Sequence, residues 1–270
     1  MNNDILPFWQ EIGTSTSIIA KKVSEKLGIP TSHTGTLDPM ASGVVLILKG
    51  DEYFKKEKYI QTFKTYSFEI LFGFNTDTHD GLGVIKESLE NDFSVDENYL
   101  EIIINSFKGN YKQQYPDFSS KKVLGKSLWE YKRLGLPVPE VFIEGEVKDI
   151  KFGKLLKVGS SEELDSIFEK INLIKGNFRQ DEILSKYKNT KFPPHLFKIN
   201  LEVEMSRGLY VRGLVRDICQ KIKIPGIVIN LVRVKDGNFS VVDCTLLKEF
   251  FKEELKSNPN YFSPEFKSLA

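Results

Sequence analysis

Cysteine is scarce in this 270-residue chain, which holds only Cys219 and Cys244. Two thiols build neither a disulfide framework nor a thiolate metal site, and both read as small apolar packing residues. The three histidines, His33, His79 and His195, stand far apart in the sequence, so a metal cluster is not expected. No apolar run approaches the roughly 20 residues that a membrane helix needs. A basic N-terminal region followed by a cleavable apolar run is also missing, so the expected location is the cytoplasm. An excess of one charge is lacking too: 38 basic residues against 37 acidic ones leave +1. Any nucleic-acid surface must therefore be local rather than global. What remains, 40% hydrophobic and 28% charged residues, describes a soluble globular protein with length for one large domain or two small ones.

The most informative stretch is Ser32-His33-Thr34-Gly35-Thr36-Leu37-Asp38-Pro39-Met40-Ala41-Ser42-Gly43, which runs into the apolar Val44-Val45-Leu46-Ile47-Leu48. Gly35, Pro39 and Gly43 rule out a helix and predict a tightly shaped loop. The apolar run, bounded by Gly43 and Lys49-Gly50, predicts a buried strand. Asp38 thus sits on a loop fixed by a core strand, where a carboxylate can be aimed. An Asx-turn alone would also account for an Asp before Pro.

The rest of the chain alternates helical and extended patterns. An amphipathic helix is predicted over 15–27, closed by Gly28 and Pro30, and further helices over 51–60 and 95–107, the last capped by Ser94. Strands are predicted over 65–73 and 141–158, and 74–81 reads as a polar loop. Phe197, Ile199, Leu201, Val203 and Met205 alternate with polar residues, the cleanest one-sided strand in the chain. Residues 159–194 are charged and polar with helical fragments around 162–171 and 180–187, and Cys244 onward predicts a short helix and a tail.

Four blocks of this pattern resemble the TruB family of pseudouridine synthases. The string 32–43 resembles its catalytic loop, departing at Ser32 and Met40. Thr76-Asp77-Thr78-His79-Asp80 with Gly83, the block from Phe118 through Lys122, Gly125 and Arg133, and Ser206-Arg207-Gly208-Leu209-Tyr210-Val211-Arg212 resemble three more. Leu231-Val232-Arg233 resembles the family's Leu-Arg-Arg strand, whereas Gln10-Glu11-Ile12-Gly13 stands where the family carries Lys-Pro-x-Gly. The resemblance implies an α+β pseudouridine synthase fold with a mixed, mostly antiparallel sheet flanked by helices. It implies one catalytic domain over 1–250, with an insertion at about 159–194, and a tail over 251–270 too short for the family's PUA domain.

The implied reaction turns uridine into pseudouridine at position 55 in the T-loop of tRNA. It needs no cofactor and no metal, since it involves neither redox change nor hydrolysis. Asp38 is implied as the catalytic nucleophile: a carboxylate can attack C1′, stabilise positive charge there, or remove the 2′ proton. Arg212 is implied as its cationic partner and Tyr66 as the aromatic that stacks on the target base. His33, Tyr210, Leu231 and Lys122 are implied as substrate-binding residues. Six basic and two acidic residues over 110–135, and five and one over 206–223, fit a local RNA surface with interleaved aromatics. The expected partner is the T-arm of tRNA, bound by a monomer that needs neither membrane nor metal. Two other readings compete: a non-catalytic RNA-binding or RNA-folding module, for which Asp38 would be superfluous, and a nucleoside hydrolase, which would release free uracil.

Overall fold

The computed structural model describes residues 4–252. In chain order the elements begin β1 (Ile5–Gln10), α1 (Thr16–Leu27), β2 (Ser32–His33), β3 (Ser42–Leu48), α2 (Gly50–Phe54), α3 (Lys56–Ile60) and β4 (Lys64–Phe72). There follow β5 (Phe74–Thr76), β6 (Ile85–Ser88), α4 (Glu97–Asn105), β7 (Gly109–Gln114), β8 (Lys122–Val123), β9 (Lys126–Ser127), α5 (Leu128–Arg133) and β10 (Phe142–Phe152). The chain continues through β11 (Leu156–Gly159), α6 (Ser160–Leu173), α7 (Gln180–Lys188), β12 (His195–Met205), α8 (Val211–Ile222) and β13 (Gly226–Asp236). It ends with β14 (Phe239–Ser240), β15 (Thr245–Leu246) and α9 (Leu247–Phe250). No helix among the described residues is long and apolar enough to cross a membrane.

Two compact units emerge. Among the described residues, the first holds 4–66, 172–177 and 231–252; the second holds 67–171 and 178–230. In the first unit the strand order is β15-β1-β3-β13, with β1 antiparallel to β3 and β3 parallel to β13. α1 covers one face, burying Ile19, Ala20 and Val23 against Phe8, Val45, Ile47, Leu247 and Phe251. This is the predicted amphipathic helix, and it stops at Gly28 in the left-handed conformation that glycine adopts at little cost. β3 is buried along its whole length, as a continuous apolar run requires.

In the second unit the order is β13-β4-β12-β10-β7, with β11 on β12. The β12–β10, β10–β7 and β11–β12 pairs are antiparallel, giving the mixed, mostly antiparallel sheet expected from the sequence. β12 buries Leu196, Ile199, Leu201, Val203 and Met205, while Glu202 and Glu204 reach across to Lys151 and Lys148 on its wetter face. α8 buries Leu214, Val215, Ile218 and Cys219, and packs beside α4 and β7.

Three local expectations are corrected. The helix over 51–60 is two short helices broken at Lys55, whose φ of −98° and ψ of 18° leave the helical region. α4 starts at Asp96, whose carboxylate accepts the Tyr99 N–H at 3.0 Å, and not at Ser94. Residues 74–76 form a strand paired with β6 rather than loop.

Candidate active site

In the first unit, residues 34–41 adopt no helix and are held from both sides. The Leu37 N–H donates to Thr16 Oγ1 at 3.3 Å, and the Gly13 N–H donates to the Pro39 carbonyl at 3.0 Å. Asp38 lies between these two anchors, half-buried, and its own carbonyl closes a turn by accepting the Ala41 N–H at 2.9 Å. Thr16 is in turn fixed by Gln10, which is fully buried. The Gln10 amide accepts from Thr16 Oγ1 at 2.5 Å and donates to the Thr14 carbonyl at 2.8 Å. A buried amide thus ties the Gln10–Thr14 segment to the loop through Thr16.

On the other side stands Arg233 of β13, 1% exposed. Its Nε donates to the Val44 carbonyl at 2.6 Å and its Nη2 to the Gly35 carbonyl at 3.4 Å. Asp236 holds that guanidinium at 3.9 Å and is itself held by Lys64 at 2.9 Å, Thr34 Oγ1 at 2.9 Å and Thr62 Oγ1 at 3.2 Å. Gly43 lets β13 approach: its φ is 123°, and a Cβ there would lie 2.3 Å from the Arg233 carbonyl oxygen. The spacing of charged residues along β13 gave no sign of this network, because Asp236 meets partners that lie far away in sequence.

Tyr66 of β4 joins the same group. Its hydroxyl pKa is raised, first by burial; the hydrogen-bonded Arg233 cation lowers it, while Asp236 and Asp38 add negative charge that raises it. Tyr66 is therefore a neutral phenol at physiological pH, within electrostatic reach of Asp38. His33 also lies here, half-buried, its pKa lowered by burial and by the cations Lys56 and Arg233. Its Nδ1 has no hydrogen-bond partner among the described residues. Leu231, two residues before Arg233, is 8% exposed. The first unit thus carries His33, Asp38, Tyr66 and Leu231.

The second unit carries the other three expected residues. Arg212, near the start of α8, is 3% exposed rather than a surface residue. A cation there opposes the helix dipole and needs acceptors. It finds the Thr78 carbonyl at 3.0 Å, the Phe118 carbonyl at 3.2 Å and Asp80 Oδ2 at 3.6 Å. Tyr210 precedes α8, and its ring centroid lies 5.9 Å from the Arg212 guanidinium carbon. The buried Gln113 fixes the Tyr210 backbone at both N–H and carbonyl, at 2.8 and 3.0 Å. Lys122 is exposed on the β8–β9 hairpin and joins neither group. Of the two basic clusters, the one over 110–135 stays exposed at Lys112, Lys121, Lys122 and Lys126. In the other, Arg212 is buried and Arg216 is turned to Asp217 at 2.7 Å and the Gln114 carbonyl at 3.1 Å.

Residues 23–166 match the TruB family pseudouridylate synthase N-terminal domain. The chain belongs to this family. Asp38, Tyr66, His33 and Lys122 fall inside the matched span, and Tyr210, Arg212 and Leu231 outside it. The tRNA pseudouridine synthase B of Caldanaerobacter subterraneus is 35% identical over 84% of this chain and 66% of its own length. That of Aquifex aeolicus is 33% identical over 89% and 70%, and that of Bacillus subtilis 29% over 92% and 70%. The chain therefore spans about two thirds of the length of these TruB-family relatives. Among solved structures, a chain of a Cbf5-Nop10-Gar1 complex superposes with a TM-score of 0.56 at 14% identity, covering 98% of this chain and 58% of that one. A chain of an H/ACA RNP bound to a substrate RNA containing 2′-deoxyuridine gives 0.53 at 14% identity, covering 97% and 56%. At that identity the likeness concerns the fold.

Proposed function

We propose that this chain converts uridine to pseudouridine at position 55 in the T-loop of tRNA, acting as a monomer on the T-arm in the cytoplasm. Family membership and the tRNA-directed names of its relatives support the reaction class and the substrate. The observation that carries the residue assignment is the clamped Asp38 loop. Leu37 and Pro39 are tied on either side of a half-exposed carboxylate, beside a neutral Tyr66. A carboxylate borne on so fixed a backbone loses less entropy on meeting a sugar carbon than one on a free loop.

Asp38 acts at the ribose of an extruded uridine as the nucleophile at C1′. The N1–C1′ bond breaks with its electrons on the uracil. The base turns, C5 bonds to C1′ and expels the carboxylate, and the C5 proton leaves while N1 gains one. Atoms and charge balance without an added reagent. Tyr66 supplies a stacking face and a phenol able to move a proton at the sugar. Arg212 supplies a permanent cation that keeps a carboxylate ionised. His33, Tyr210 and Leu231 line the base and its neighbours, and Lys122 takes backbone phosphate.

The test is incubation with unmodified tRNA transcript followed by mapping of pseudouridine. The expected product is at position 55, and Asp38→Asn abolishes it while tRNA binding persists. Turnover retained in that variant overturns the role of Asp38. Binding without any product, in the wild type, favours an RNA-binding or RNA-folding module instead.

A further inference from the structure

The connection between β11 and β12 folds as α6 and α7 and contributes a side chain that the reaction as described does not use. Arg179 precedes α7 in the left-handed conformation, with φ 65° and ψ 29°, unusual for a residue with a side chain. Its two terminal nitrogens grip the Asp77 carboxylate as a fork, at 2.9 and 3.2 Å. Its guanidinium carbon also stands 4.7 Å from the centroid of the Phe118 ring. Asp77 is well buried, with 7% side-chain exposure, so this pair is not an ordinary surface ion pair.

The groups that Arg179 holds adjoin those that Arg212 uses. Arg212 donates to the carbonyl of Thr78, the residue after Asp77, and to the carbonyl of Phe118 itself. Its third partner is Asp80 in the same 74–81 segment. α7 braces that segment again at its far end, where the buried Tyr187 hydroxyl donates to the Gly81 carbonyl at 3.3 Å. We infer that Arg179 is a positioning residue: by clamping Asp77 and Phe118 it fixes the carbonyls that aim the Arg212 guanidinium. This inference rests on the catalytic part proposed above for Arg212.

A rival role for the same segment, direct RNA binding, finds less support. Residues 159–194 hold six basic and six acidic side chains. Arg179 is committed to Asp77, and Lys170 to Asn230. A phosphate-tracking surface calls for an excess of available cations.

The test uses the full chain with Arg179→Ala, Arg179→Lys and a control, Ile167→Ala, which removes buried bulk from α6 and leaves the Arg179–Asp77 fork in place. Single-turnover isomerisation of a T-arm RNA is expected to slow about tenfold or more in R179A, with RNA affinity within about threefold of wild type. R179K keeps the charge but loses the fork and the planar stack, so it should remain as slow. I167A should lower the melting temperature yet keep the wild-type rate well below it. Amide exchange at residues 76–82 should quicken in R179A and R179K only, a readout that needs no activity. An R179A enzyme as fast as wild type, or an equal slowing in I167A, overturns the inference. If the wild type makes no pseudouridine while exchange still responds to R179A, the brace stands and the assigned reaction falls.

Discussion

Lys64 and Asp236 form a buried ion pair, Nζ to Oδ1 2.9 Å, with side-chain exposures of 9% and 0%. Such a pair adds little net stability over an apolar equivalent, because both charges lose their hydration. Its use lies in what it organises. Asp236 also accepts from Thr34 and Thr62 and sits 3.9 Å from Arg233, whose other contacts hold Gly35 and Val44 at the two ends of the Asp38 loop. Charge buried at a strand end is thus converted into loop geometry.

Removing one partner should therefore be costly. Asp236→Asn takes the Asp236 carboxylate away from the buried Lys64 ammonium and Arg233 guanidinium, for a loss of about 3 kcal/mol or more. Urea denaturation followed by circular dichroism measures it. A paired replacement, Lys64→Met with Asp236→Leu, should recover only the part of the loss owed to Lys64, because the buried Arg233 guanidinium still loses the Asp236 carboxylate, and should not restore the isomerisation rate, since Thr34 and Arg233 lose their anchor. A D236N protein within 1 kcal/mol of wild type, about the worth of an ordinary hydrogen bond, would show that the network is incidental.

His79 makes stability depend on pH. Its imidazole pKa is lowered to about 4 from an ordinary 6.5, first by burial and then by the cations Arg216 and Arg212. The unfolded chain takes up a proton near pH 6.5, while the folded chain refuses it until about pH 4. The stabilising contribution is complete above the first value, declines between the two and levels off below the second. Its span is about 3 kcal/mol. Asn tolerates the left-handed backbone that His79 adopts at φ 62°. His79→Asn should accordingly lose about 2 kcal/mol less than wild type between pH 7 and 4.5, by urea titration at each pH. Parallel curves for the two proteins would refute it.

The parts of the fold readable in sequence are those where local pattern and tertiary demand agree. α1 has a single apolar stripe and a terminal glycine, β12 alternates cleanly, and Gly35, Pro39 and Gly43 leave the Asp38 segment no regular structure to adopt. β1 was hidden by Pro7, which argues against a strand, although Pro7 lies opposite Leu46 in the β1–β3 ladder. Ser94 and Asp96 are both good helix caps, and only the backbone path selects Asp96. The motif residues of the site were legible as types in a pattern. Their supports were not: Asp236, Lys64 and Arg179 look like ordinary solvated charges until distant segments fold onto them, and Arg233, though part of a motif, gave no sign of its contacts with Gly35 and Val44.

Gln10 is the support most particular to this chain, since it stands where the family resemblance leads one to expect a lysine. Its amide must donate to the Thr14 carbonyl and accept from Thr16 Oγ1 at once, and Thr16 Oγ1 in turn accepts the Leu37 N–H beside Asp38. Alanine loses both bonds; glutamate keeps the acceptor but sets a buried charge against the Thr14 carbonyl. Gln10→Ala should cost about 1–3 kcal/mol and Gln10→Glu more at neutral pH, with part of the glutamate deficit recovered as its carboxyl is protonated toward pH 5. Both should slow isomerisation by more than they weaken tRNA binding, because the bonds reach Asp38 through Leu37 and not the RNA. Equal losses of rate and affinity, or a Q10E protein as stable as wild type at pH 7, would break the link from Gln10 to the Asp38 loop.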